Sequence, residues 1–296
     1  MPLFPGVLPA LLTPFDESGA VDEQGLVAHA EFMLEQGVHG LVTTGTMGEA
    51  GSMSRDERSR VTRLVSEFAA GRVPVVAGVS AQTPAEVIAY ASDAAEAGAN
   101  AVMLLPPVVY EADERELVAF YSAVADAIGL PIMLYNNPKA SGSGDLSAET
   151  VATLIERVDR IVAVKECSGD ARRIAALQGA GAEILIGGDD WALEGFFAGA
   201  RGWVSGVANV APRACVDLYE QCERGDADAA RMTYQAMLPL ARLDMRPKLV
   251  QYFKAASQGL GRDLGAPRPP RLQLSEADMA DVTAALAALE GSEAPV

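Results

Sequence analysis

Eight short apolar runs, separated by longer stretches of helical periodicity, limit what this chain can fold into more than any single motif does. The runs span residues 6–12, 40–43, 74–79, 101–105, 131–135, 161–165, 184–187 and 202–205. They are too apolar for a half-exposed sheet and read as strands buried on both faces. Between them lie amphipathic stretches at 22–36, 54–70, 84–97, 111–128, 147–156, 191–200 and 212–224, several opening on Ser, Thr or Asp with an acidic residue in the first turn. Gly37, Gly71, Gly98 and Gly129 mark helix ends. Connections this long rule out hairpins, so the repeated unit predicts an α/β fold in the form of a closed parallel (β/α)8 TIM barrel. An open doubly wound sheet is the alternative. It is weakened because Leu12-Thr13-Pro14-Phe15 follows the first strand, where a dinucleotide fold carries Gly-x-Gly-x-x-Gly.

After Arg224 the strand signal stops. Residues 227–244, 246–259 and 276–289 read as helices, with the link Gly265-Ala266-Pro267-Arg268-Pro269-Pro270 before the last. The expected division is a catalytic barrel domain at 1–225 and a C-terminal helical domain at 226–296, the latter serving packing or oligomer contacts. With half of its 296 residues apolar, the chain can bury a large core. A net charge of -17 excludes nucleic acid and anionic membrane as natural partners. Cys167, Cys215 and Cys222 form no CxxC or Cys/His cluster, which suits a reduced compartment and supports neither zinc nor a disulfide scaffold. Residues 1–15 lack a basic segment and hold four prolines, so they do not read as a signal peptide. No apolar run reaches the ~18 residues of a spanning helix. The expectation is a cytoplasmic protein with no membrane partner.

In a barrel the active site lies at the carboxyl ends of the strands. The sixth run delivers Lys165 to such an end, with Ser168-Gly169-Asp170 supplying turn and N-cap chemistry for a following helix. An apolar strand behind and a polar loop in front are conditions that lower an amine pKa; the alternative is a lysine snorkelling to water. Tyr135 ends the fifth run, and beside Lys165 it could carry protons; alone it would read as a core tyrosine. The second run enters Thr43-Thr44-Gly45-Thr46-Met47-Gly48-Glu49, where glycine-flanked amides and the Thr46 hydroxyl could hold a carboxylate or phosphate, or form an ordinary turn. Gly187-Gly188 could also bind phosphate. His29 and His39 lie away from the rim, which suits surface or capping roles. N-capping accounts for Asp189-Asp190 better than a metal does, and Cys167 has no histidine base, so no metal and no thiol nucleophile are expected.

These motifs resemble, over nearly the whole chain, the class I pyruvate aldolases and lyases that include dihydrodipicolinate synthase, N-acetylneuraminate lyase and 2-keto-3-deoxygluconate aldolase. The resemblance implies a Schiff base from Lys165 to pyruvate or a 2-keto acid, proton transfer by Tyr135, carboxylate binding by Thr46 and Met47, and backbone contact from Val204. It implies no metal or organic cofactor, and a homo-oligomer, tetramer or dimer. Three positions depart from the synthase pattern: Met47 replaces a hydroxyl residue; Val108 stands where a relay tyrosine is placed, with Tyr110 two residues on; and Ala140 aligns with the arginine that binds the aldehyde substrate's carboxylate. Losing that charged partner costs roughly 1.5–3 kcal/mol, a ten-fold or greater loss of selection.

The expected function is therefore a Schiff-base lyase on a 2-keto acid, of the 2-keto-3-deoxy sugar acid aldolase or dehydratase type. Dihydrodipicolinate synthase (4-hydroxy-tetrahydrodipicolinate synthase) is the enzymatic alternative, a related deaminase a third, and a non-catalytic keto-acid binder the alternative from another class.

Overall fold

The computed structural model describes residues 3–291. Met1, Pro2 and 292–296, at the outer ends of the two expected domains, lie outside the described residues. Eight parallel strands follow one another around a single sheet: β1 (Gly6–Pro9), β2 (Leu41–Thr43), β3 (Val75–Gly78), β4 (Ala101–Leu104), β5 (Ile132–Asn136), β6 (Ile161–Glu166), β7 (Glu183–Ile186) and β8 (Gly202–Ser205). β8 pairs with β1, and the ring closes where Ala10 bridges Val42. The closed barrel is thus the fold, with each expected run represented by a strand.

Helices alternate with the strands: α1 (Glu23–Glu35), α2 (Arg55–Ala69), α3 (Pro84–Glu96), α4 (Glu114–Ala127), α5 (Ala148–Arg157), α6 (Arg172–Ala176), α7 (Ala192–Phe197) and α8 (Pro212–Glu223). Local chemistry sets their starts. Ser54, Thr83 and Asp113 each exchange side-chain and backbone bonds with the acid at N3, closing capping boxes that satisfy amides otherwise left open. Gly37, Gly71 and Gly98 stand in the left-handed region, but Gly129 does not, because α4 ends through the extended Ile128. The Asp170 cap expected for α6 is also replaced: α6 starts after Ala171 without a side-chain cap, and Asp170 instead accepts from the Arg172 amide at 3.0 Å.

The C-terminal helices are α9 (Ala227–Ala241), α10 (Leu249–Gly259) and α11 (Glu276–Glu290). α9 packs on α8, and α11 packs on both α9 and α10. Among the described residues no helix is long and apolar enough to cross a membrane.

Candidate active site

Strand register brings the two principal candidates together. In the β5–β6 pair Tyr135 stands opposite Lys165, and the Lys165 Nζ lies 4.2 Å from the Tyr135 ring centroid. Asn136 and Glu166, one residue on, belong to the other face of the pleat. There Asn136 Nδ2 donates to Glu166 at 3.0 Å, the Ser168 amide donates to Glu166 at 2.7 Å, and Arg173 pairs with it at 3.2 Å. This buried cluster fixes the strand ends from behind, and the backbone register carries the lysine and tyrosine to the same point of the rim.

The two side chains face a cavity of about 420 Å³ at the barrel mouth. Thr46, Met47 and Val204 also line it, so all five candidates share one enclosure. Two glycines keep it open: a Cβ at Gly187 would stand 2.1 Å from Cys167 Sγ and 2.9 Å from Lys165 Cγ, and one at Gly206 would stand 2.6 Å from Met47 Cε. In the Thr46 loop the left-handed residues are not the glycines but Thr44 and Glu49, at φ 51° and 59°. Such conformations are costly for these residue types and need outside support. Thr44 donates to Gly78 O at 3.0 Å; Glu49, fully buried, is held by Lys254 at 3.1 Å and by the Arg268 amide at 2.9 Å.

Electrostatics correct the expectation for the lysine. Burial pulls the Lys165 amine down most strongly, but the negative charge that Tyr135, Cys167 and Asp244 can carry outweighs it, so its pKa lies above the ordinary value. Burial pushes the Tyr135 phenol and the Cys167 thiol up to about 12 each. Near neutrality those two are uncharged, and Asp244 is the anion that keeps the proton on Lys165. Asn137 Nδ2 donates to the Tyr135 oxygen at 2.8 Å, which leaves the phenol proton to point elsewhere.

Other expectations change as well. Asp189 caps no helix; it accepts from Trp203 Nε1 at 3.0 Å, Ser205 Oγ at 3.1 Å, the Gly206 amide at 3.2 Å and the Val207 amide at 2.6 Å, fastening β7 to β8. His29 is buried against Asn209, not at the surface, and the half-buried His39 accepts from the Val7 amide at Nδ1. Tyr110 is exposed and Val108 half-buried, both outside the cavity lining. Sequence reasoning missed Asp244, Met245, Arg246 and Pro247, which line the cavity from the connection between α9 and α10, and Leu249, which lines it from the start of α10. A part of the chain expected to serve packing or oligomer contacts therefore builds the site; nothing in its local composition marks it as lying over the barrel mouth.

A family model described as the dihydrodipicolinate synthetase family matches residues 3–289. The 4-hydroxy-tetrahydrodipicolinate synthase of Agrobacterium fabrum is 37% identical over 288 residues, covering 96% of this chain and 98% of that one. The chloride-inhibited dihydrodipicolinate synthase of Acinetobacter baumannii, solved with pyruvate, has a TM-score of 0.90 at 30% identity, covering 97% of this chain and 99% of that one. A prophage protein of E. coli K12 from the dihydrodipicolinic acid synthase family, also solved with pyruvate, has a TM-score of 0.91 at 27% identity with the same coverage.

Proposed function

The chain belongs to the dihydrodipicolinate synthetase family, whose members are class I lyases working through a lysine Schiff base with pyruvate, and from that premise we propose that Lys165 is the amine that bonds to the keto carbon of pyruvate or a related 2-keto acid. The carrying observation is the register pair: a buried lysine and a buried tyrosine on adjacent strands, with the ammonium 4.2 Å from the ring centroid at the floor of one cavity. Lys165 releases one proton to solvent and its nitrogen pair adds to the keto carbon while the C=O π pair moves to oxygen, which takes the second nitrogen proton to give the carbinolamine. The hydroxyl then leaves as water with a proton from the Tyr135 phenol, giving a protonated imine that draws electrons from the next carbon and a phenolate that regains its proton from solvent. The Thr46 hydroxyl and the loop amides at Thr46 and Met47 hold the carboxylate, and Val204 borders the keto acid through its backbone.

For the second substrate, the names of the relatives favour condensation with aspartate semialdehyde, the reaction of a 4-hydroxy-tetrahydrodipicolinate synthase. Lys139 at the cavity edge could take that substrate's carboxylate. Ala140 in the same lining favours the second reading, aldol cleavage or dehydration of a 2-keto-3-deoxy sugar acid. Treatment with pyruvate and borohydride, followed by mass spectrometry, should place a reduced pyruvyl group on Lys165 and none on a Lys165→Ala variant. An unmodified wild-type chain would leave a keto-acid binder as the reading. Rates with pyruvate plus aspartate semialdehyde, set against rates with keto-deoxy sugar acids, separate the two enzymatic readings. We also propose a homo-oligomer, dimer or tetramer, for which the exposed Val109 and Tyr110 after β4 offer apolar surface; light scattering showing a monomer would overturn it.

A further inference from the structure

Asn137 follows the end of β5 by one residue and lines the cavity together with Tyr135. Both ends of its side-chain amide are engaged. Oδ1 accepts from the Lys139 and Ala140 amides at 3.1 and 3.2 Å, closing a side-chain turn around Pro138, and Nδ2 donates to the Tyr135 oxygen at 2.8 Å. Two backbone donors call for the carbonyl oxygen, so the turn fixes which atom faces the phenol: it is the nitrogen. The turn itself has no use for that nitrogen. Its remaining bonds run to the Asn137 backbone oxygen, which accepts from the Ala140 and Ser141 amides at 3.1 and 3.0 Å.

We propose that Asn137 is a positioning residue for the proton transfer, turning the Tyr135 phenol proton towards the carbinolamine and steadying the phenolate left behind. The inference rests on the Schiff-base reading and deepens it. A phenol oxygen that accepts from Asn137 must offer its own proton to another acceptor, and in the occupied cavity the departing hydroxyl is the acceptor that the reaction supplies. In the step itself the Tyr135 O–H bond breaks and its electron pair stays on the phenol oxygen. The proton joins the carbinolamine hydroxyl, the C–O bond breaks with its pair going to water, and the nitrogen pair forms the imine π bond. Neutral phenol and neutral carbinolamine become phenolate, protonated imine and water, so charge and electrons balance.

The negative charge has to appear where water is scarce. Tyr135 is 6% exposed, and burial raises its pKa to about 12, with Asn137 among the groups that pull it back. A hydrogen bond to an ionised acceptor is worth more than one to a neutral acceptor, so the Asn137 N–H gains strength as the proton leaves. Among the described residues that line the cavity there is no second phenol to share this duty.

The test follows how fast the pyruvate adduct on Lys165 builds up, by borohydride quenching at timed intervals and mass spectrometry. Asn137→Leu removes the donor and should slow imine formation by ~10–100-fold while the same adduct forms in the end. Asn137→Asp keeps the oxygen that closes the turn but lacks the N–H, and it should slow the step at least as much. A role confined to the turn would leave the Asp variant at the wild-type rate, and that result overturns the proposal. The second comparison is made in a Tyr135→Phe background, where no phenolate forms. There Asn137→Leu should change the rate by less than about three-fold. Equal slowing in both backgrounds overturns the proposal as well. Should the Leu variant not fold, Asn137→Asp replaces it in this comparison, since its charge acts on Lys165 in both backgrounds and cancels in the ratio. A wild-type chain that forms no adduct removes the Schiff-base reading, and this proposal with it, before any variant is compared.

Discussion

His29 illustrates how a single buried side chain ties stability to pH. Asn209 Nδ2 donates to Ala10 O and Gly206 O at 2.8 and 2.9 Å, which fixes Asn209 Oδ1 as the acceptor of the His29 Nε2 proton at 2.9 Å. Burial, the main cause, lowers the His29 pKa to about 4. Between about 4 and the ordinary 6.5 the unfolded chain binds a proton there that the fold does not. Unfolding free energy therefore rises with pH across this window, and His29's share is complete above 6.5 and lost on acidification. Going from pH 7.5 to 5 this share amounts to ~2 kcal/mol. In urea titrations a His29→Leu variant should lose that much less than wild type over the same interval; equal losses would show that the imidazole stays paired when charged. Nothing in the sequence singled out this histidine, because its burial depends on Asn209, 180 residues away. Lys165 and Tyr135 were legible because each ends an apolar run, where barrel geometry puts chemistry. Asp244 was not, since an acid between two helices looks like any solvated turn.

At the scale of elements, the β2 loop is shaped by partners outside the barrel. Thr44 and Glu49 hold left-handed backbone on either side of the stretch that carries Thr46 and Met47. The Glu49 side chain is clamped by Lys254 from α10 and by the Arg268 amide, and Arg268 also pairs with Glu57 on α2 and donates to Gly19 O and Ser52 O. Lys254 and Glu49 are 4% and 0% exposed, so neither can fall back on water. Removing one partner of such a pair leaves a charge uncompensated, and Glu49→Gln should lower unfolding free energy by ~3–5 kcal/mol and weaken pyruvate binding through the loosened loop. A loss under ~1 kcal/mol in urea denaturation would show that Lys254 simply gives up its proton, the direction in which burial already drives it. The strands and capped helices were readable from periodicity and end residues. The clamp was not, because it joins residues more than two hundred positions apart and only the fold brings them within bonding distance.

For the whole molecule, the expected division at residue 225 meets a site that both parts build. We propose that the barrel alone is not a working unit. The cavity takes Asp244, Met245 and Leu249 from the extension, the β2 loop takes its clamp from Lys254 and Arg268, and Tyr234 donates to Asp190 O beside β7. Met237, Leu240, Val250, Phe253 and Ala256 bury their side chains in the same region. Each fully buried side chain of the larger kind contributes ~1.5–3 kcal/mol, so losing several matches the whole ~5–15 kcal/mol by which a domain is usually stable. A chain ending after Gly225 should therefore expose the apolar faces of α8 and of the 207–209 turn, associate in sedimentation, and fail to trap pyruvate on Lys165. The acidic surface does not rescue it, since charge repulsion acts over a Debye length of ~8 Å at physiological salt while the exposed faces attract on contact. A monodisperse fragment that still forms the borohydride-stable adduct would return the extension to a packing role and make 1–225 a domain in its own right.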